Sequence, residues 1–320
     1  MLDVLTLERI REAATVIRGP SVIRTPLLPH LTPSGRRLWL KCENFQSIGA
    51  FKIRGATHMI RKLPSGTTGV VAHSSGNHAQ AVARAAKDAG LPAVVVMPSD
   101  APPLKRARTE ADGAEIVEVG PDSDERAQRA DLEVKRRGWT LVPPFDHPDV
   151  AAGQGTAGLE ALEDLGEDRP RRFYCPTSGG GLLAGCATAF HALAPDCEIV
   201  AVEPDTADDT AQSLARGERV AVPPPPTVAD GLRVRIPGKQ TFEVLKARVH
   251  RARLVTDEQI LDAMAYGLRR LRMVIEPGGA ASLAAALAEG ADDAVVLLSG
   301  GNVEPSLVGE VLRRPEGRWG

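Results

Sequence analysis

Gly69-Val70-Val71-Ala72-His73-Ser74-Ser75-Gly76-Asn77-His78-Ala79-Gln80 is the stretch whose reading decides the fold. A short β-branched run leads into a turn of small polar residues, and the turn opens a helix-forming run that reads to near Ala89, where Gly90 stops it. The same phrase then repeats. Ala93–Met97 reads as a strand, Pro103–Asp112 as a charged helix, Ile116–Val119 as a strand and Asp124–Arg137 as a helix. After a stretch around Pro143–Gly158 that reads as loop-rich, the strands Phe173–Cys175, Ile199–Val202 and Ala294–Leu298 alternate with helices at Leu182–Leu193, Asp257–Arg272 and Gly279–Glu289. Strands alternating with helices of this length predict an α/β fold of parallel-rich sheets built from right-handed βαβ units. Residues 61–146 are self-contained in pattern. They read as a small lobe inserted into a larger one formed by 1–60 and 147–320, with a small-molecule cleft between the two.

The composition excludes several classes. A net charge of −2 with 25% charged residues gives no electrostatic case for nucleic acid or anionic lipid. Cys42, Cys175, Cys186 and Cys197 show neither CxxC spacing nor a paired histidine motif, so reduced thiols in a cytoplasmic protein fit better than zinc or disulfides. The N-terminal residues carry Glu8, Arg9, Arg11 and Glu12 and read as a helix of the mature protein, not a signal peptide. No apolar run approaches the length of a membrane span. Pro223–Pro226 is too short for a domain linker and reads as a stiffened loop.

Three segments carry chemistry. Lys52 lies between Phe51 and Ile53 and is bracketed by Gly49 and Gly55, a setting in which a partly buried amine loses basicity and becomes nucleophilic. Ser74–His78 and Ser178–Leu182 each follow a strand and open a helix, so each presents backbone N–H groups to an anion. One amine and two such turns suit a phosphate-bearing aldehyde, held as a Schiff base by the amine. A rival reading exists. Gly179-x-Gly181-x-x-Ala184 matches a dinucleotide fingerprint, and Glu203 ends the next strand near the distance expected of a ribose acid. That window alone supports an NAD-dependent oxidoreductase. The second small-residue turn and the placed lysine argue against it.

In chain order stand Arg24–Leu27, Lys41–Ala56, Ser74–Ala81, Ala152–Thr156, Ser178–Gly185, Glu203–Ser213, Ala229–Gly231, Glu276-Pro277 and Ser299–Asn302. On these segments the chain resembles the fold type II pyridoxal phosphate enzymes (the tryptophan synthase β-like fold), specifically the serine/threonine dehydratase and serine racemase family. The resemblance implies that the cofactor is pyridoxal 5'-phosphate in the cleft between the lobes, with Lys52 as Schiff-base residue and base at the substrate Cα. It assigns Phe51 to the cofactor ring, Asn77 to its phenolic oxygen, Ser178, Gly179, Gly180, Gly181 and Leu182 to its phosphate, and Ser299 to its pyridine nitrogen. Gly231 and Glu276 join the cofactor-binding set. Ser74, Ser75, Asn77 and His78 would hold the substrate carboxylate, and Ser75 could act on the face opposite Lys52.

The resemblance further implies a divalent cation, Mg²⁺ or Ca²⁺, held by Glu203, Asp209 and the Ala207 carbonyl, with oxygen ligands of the right hardness. The alternative is an acidic start to a helix read at Ala207–Arg216. Arg126 has two readings: a receptor for a second substrate carboxylate, or one arginine on an exposed helix. The implied reaction is β-elimination from L-threonine or L-serine to a 2-oxo acid and ammonia. The alternatives are 3-hydroxyaspartate dehydration, serine racemisation and, outside this class, a non-catalytic small-molecule binder. A homodimer is expected from the family, and no regulatory domain is expected after the catalytic region.

Overall fold

A computed structural model of the chain describes residues 1–121, 123–315 and 319. Along the chain run α1 (Leu7–Val16), β1 (Leu27–Leu31), β2 (Arg37–Cys42), α2 (Lys52–Arg61), β3 (Val70–His73), α3 (Asn77–Asp88), β4 (Ala93–Pro98), α4 (Pro103–Ala111), β5 (Glu115–Val119), α5 (Ser123–Arg137) and β6 (Thr140–Leu141). They are followed by α6 (Pro148–Leu165), β7 (Arg172–Pro176), α7 (Gly181–Leu193), β8 (Glu198–Pro204), α8 (Asp209–Arg216), α9 (Lys239–Arg248), β9 (Arg251–Val255), α10 (Asp257–Tyr266), α11 (Pro277–Ala288), β10 (Ala294–Leu298) and α12 (Pro305–Arg313).

Two sheets result. One has the order β1-β2-β10-β7-β8-β9 and is parallel except for the β1–β2 hairpin; the other, β5-β4-β3-β6, is wholly parallel. The two-residue period of β10 explains its burial on both faces. Val295 and Leu297 enter a cluster with Phe173, Leu183 and Phe190, while Ala294, Val296 and Leu298 enter another with Tyr174, Val200 and Leu283. Phe173 and Phe190 stack with centroids 4.1 Å apart. A third cluster covers the smaller sheet and includes Ile53, Ala56 and Ile60 of α2.

The expected loop at Pro143–Gly158 is corrected: α6 runs from Pro148 to Leu165. Pro148 starts it without loss, because a first-turn N–H needs no intrahelical partner, and the His147 ring accepts the Asp149 N–H at 3.1 Å. Its glycines, which cost a free helix about 1 kcal/mol each, are packing residues here. A Cβ on Gly153 would lie 2.7 Å from the Arg54 carbonyl oxygen, and one on Gly155 would lie 2.8 Å from that of Gly185. Close approach of α2, α6 and α7 therefore requires the residues that made the stretch read as loop. The helix expected at Asp257–Arg272 also changes: α10 ends at Tyr266, and a π-helical turn, Gly267–Leu271, closes on Arg272 at φ 61°.

Candidate active site

Three turns lie at the carboxyl ends of parallel strands: Ser74 after β3, Ser178 after β7 and Ser299 after β10. Open α/β sheets bind ligands at this edge. Lys52 is delivered to the same place. Phe51 N–H donates to the Ser299 carbonyl at 3.0 Å, and Ala50 bridges to Gly300, so α2 begins against the end of β10. The Lys52 Nζ donates to the Pro144 carbonyl at 2.7 Å and lies 5.2 Å from the Phe51 ring centroid. Among the described residues no carboxylate pairs with it. Burial without a counter-charge brings the amine down to about 8, which leaves a useful neutral, nucleophilic fraction near neutral pH.

The turn Ser178–Gly181 is shaped for an anion. The N–H groups of Ser178, Gly179 and Gly180 make no hydrogen bond among the described residues, and Gly181 and Leu182 begin α7, where N–H groups lack helical acceptors. Gly180 sits at φ 91°, which a side chain would strain, and a Cβ on Gly179 would run into the Phe145 ring. The Ser178 hydroxyl is buried without a partner among the described residues. Unspent donors and an orphaned hydroxyl fit a phosphate. The space beside Gly231 is open, with nothing within 4 Å of where its Cβ would be.

Asn77, first residue of α3, is fixed at both ends of its amide. Its Nδ2 donates to Glu276 Oε1 at 2.7 Å and its Oδ1 accepts from Asn302 Nδ2 at 3.0 Å. Glu276 Oε2 has no hydrogen bond among the described residues, and burial raises this carboxyl to about 7. Lys105 of α4 approaches it at 3.9 Å while donating to Asp230 at 2.5 Å. Ser74 Oγ accepts the Gly76 N–H at 3.1 Å, closing the turn in which Ser75 lies.

The His78 ring is engaged elsewhere. Its Nε2 pairs with the Val142 carbonyl at 2.9 Å, and burial, followed by the Lys52 charge, pushes the ring down to about 3. A neutral imidazole already engaged with a carbonyl gives an anion no side-chain N–H. What His78 offers is its backbone amide in the first turn of α3. Arg126, on α5, depresses the basicity of His73, the last residue of β3, after burial has done most of that work. Its charge is thus felt at the end of the strand that delivers the Ser74 turn.

Glu203 and Asp209 are both fully buried. Glu203 accepts the Thr210 N–H at 3.0 Å and the Ala211 N–H at 2.8 Å, which explains why α8 begins at Asp209 rather than Ala207. The dinucleotide reading loses its ribose acid, because this carboxylate is spent under α8. Both Asp209 oxygens lack partners among the described residues, and burial raises the carboxyl to about 7. No group of three His, Cys, Asp or Glu side chains converges among the described residues.

Sequence reasoning missed Pro144, Phe145, Asp146, Lys105 and Thr241. No motif marks them, although Asp230 and Asn302 fall in segments already singled out. A family model described as "Pyridoxal-phosphate dependent enzyme" matches residues 19–300. The chain is 40% identical to a serine racemase of Schizosaccharomyces pombe, over 88% of this chain and 89% of that one. It is also 40% identical to an L-threo-3-hydroxyaspartate ammonia-lyase of Saccharomyces cerevisiae, over 84% of each. Among solved structures, a threonine deaminase from T.th. superposes with a TM-score of 0.89 at 42% identity, covering 93% of this chain and 99% of that one. An amine without a counter-charge and a turn of free amides suit such a cofactor, and the chain belongs to the pyridoxal-phosphate dependent enzymes.

Proposed function

We propose that the protein is an ammonia-lyase that removes water from a β-hydroxy amino acid and delivers a 2-oxo acid and ammonia. The observation that carries this reading is Lys52, a half-buried amine at about 8 with no carboxylate partner among the described residues, which begins α2 against the end of β10. When bound, pyridoxal phosphate supplies the electron sink for negative charge developing at the substrate Cα. The chain's residues do the rest. Ser178–Leu182 take the phosphate, and backbone N–H groups of the Ser74–His78 turn take the substrate carboxylate. Asn77 orients the ring through its phenolic oxygen and Ser299 faces the ring nitrogen. Lys52 Nζ would remove the Cα proton, the β-hydroxyl would take up a proton and leave as water, and the released enamine would take water back as it hydrolyses to the 2-oxo acid and ammonia. Phe51 closes one side of the ring, and Gly231 leaves room for it.

Threonine and serine are the default substrates. Likeness to hydroxyaspartate ammonia-lyases, together with an Arg126 charge felt at His73, supports 3-hydroxyaspartate as well. Racemisation at the same Cα is the second reading, favoured by Ser75 within the carboxylate turn and by likeness to serine racemases. A screen of serine, threonine and the 3-hydroxyaspartate diastereomers, scored for oxo acid and for enantiomer, tests these readings together. Arg126→Ala should cost about tenfold in kcat/KM on 3-hydroxyaspartate and little on threonine. An equal effect on both would remove the second-carboxylate role, and no oxo acid from any of them would remove the lyase reading.

The remaining assignments belong to the same proposal. A divalent cation held by Glu203, Asp209 and the Ala207 carbonyl would satisfy the two orphaned oxygens of Asp209 and order the start of α8, without touching substrate. The lobe division at 61–146 is supported by a four-stranded sheet whose strands all fall between Val70 and Leu141. Exposed Ile23, Phe45 and Val274, linked through Gln46 and Asn44, support a homodimer face, and four free buried cysteines support a cytoplasmic setting.

A further inference from the structure

The phosphate turn is held from behind. The Gly179 carbonyl accepts two hydrogen bonds, from Thr241 Oγ1 at 2.6 Å and from Gly238 N–H at 3.2 Å. A trans peptide is planar, so its carbonyl and the following N–H point in opposite directions. Drawing the Gly179 carbonyl toward α9 therefore turns the Gly180 N–H away from α9 and into the turn, where it meets no acceptor among the described residues. Thr241 is itself fixed. Asp146 accepts the N–H groups of Lys239 at 2.9 Å, Gln240 at 2.8 Å and Thr241 at 3.0 Å, capping the first turn of α9. Gly238 has no room for a side chain, because a Cβ there would lie 2.5 Å from Thr241 Oγ1 and 2.6 Å from Asp146 Oδ1. Asp146 also ends the segment whose Pro144 carbonyl takes the Lys52 amine at 2.7 Å.

We propose that Thr241 and Asp146 are positioning residues for the cofactor phosphate. Thr241 orients the Gly179–Gly180 peptide, and Asp146 ties that peptide to the segment that holds Lys52. The inference rests on the assignment of Ser178–Leu182 to the phosphate. It goes beyond that assignment by naming two residues that never touch the cofactor yet set its affinity.

The test uses resolved apoprotein and compares its dissociation constants for pyridoxal phosphate and for pyridoxal, which lacks the phosphate. The pyridoxal constant divided by the pyridoxal phosphate constant isolates the phosphate's share of binding. Thr241→Val is expected to lower that ratio roughly tenfold while leaving the pyridoxal constant within about twofold. Thr241→Ser should restore the ratio, and Asp146→Asn should lower it about threefold. If Thr241→Val does not fold, Asp146→Asn and Thr241→Ser decide the matter alone. An unchanged ratio in Thr241→Val and Asp146→Asn, or equal losses for both ligands, would overturn the positioning role. A wild-type ratio near one would instead overturn the phosphate assignment itself.

Discussion

Two buried charge clusters show opposite ways of placing ions in a protein interior. Around Arg54 the charges match. Its guanidinium donates to Glu43 at 2.7 and 2.9 Å, to Glu160 at 2.7 Å through two nitrogens and to Thr156 at 3.0 Å. Lys41 donates to Glu160 and to the Thr25 carbonyl, each at 2.7 Å. Two cations meet two carboxylates, and the Arg54 charge holds Glu43 below its ordinary range although burial opposes it. At α8 the charges do not match. Glu203 and Asp209 are buried together with no basic side chain paired to them among the described residues, burial raises both, and the two oxygens of Asp209 have no partner there. Lys52 is the same case with the opposite sign. Matched burial builds the scaffold that ties α2 to β2 and α6, whereas unmatched burial is the feature on which the proposed cation and cofactor sites rest.

The contrast breaks most visibly by substitution. Arg54→Met leaves two carboxylates facing Lys41 alone and should cost about 3–5 kcal/mol in urea denaturation. Lys52→Met in the apoprotein should not destabilise and is expected to stabilise near neutral pH, because no ion pair is lost and an amine whose basicity burial lowers is removed. Equal costs would mean that Lys52 is scaffold too.

A smaller effect sharpens the other half. Asp209 has a folded-state pKa raised from 3.8 to about 7, so its contribution to stability is complete below 3.8 and is lost as pH rises through about 7. In chelated protein, stability should therefore fall between pH 4 and 7 by roughly 2 kcal/mol or more, and Asp209→Asn should flatten that fall. Mg²⁺ or Ca²⁺ should raise Tm more at pH 8 than at pH 5 in the wild type and not in Asp209→Asn. A cation effect that survives the substitution would place the ion elsewhere.

Legibility followed locality. The strands and helices around Ser74 and Ser178 could be read because each turn and its flanking elements are contiguous, and Lys52 and Asn77 came with their motifs. The β1–β2 hairpin was not legible, since Pro29 and Arg37 blur its alternation, and its place beside β10 is a pairing across 250 residues or so. Helix α6 was hidden by glycines whose purpose appears only when α2 and α7 are packed on it. Thr241 and Asp146 carry no motif, because their role is to hold one carbonyl brought near by chain crossovers. His78 shows the converse: the motif was legible, but the chemistry of its ring depended on burial and the Val142 carbonyl.

The central claim is that the unmatched amine of Lys52 is where the cofactor aldehyde is fixed. Borohydride reduction of the protein loaded with pyridoxal phosphate, followed by peptide mass spectrometry, tests it directly. The account predicts one reduced pyridoxyl phosphate per chain, on Lys52 and blocked in Lys52→Met. Label on Lys105 or on surface lysines in place of Lys52, or no label on a loaded protein, would contradict it.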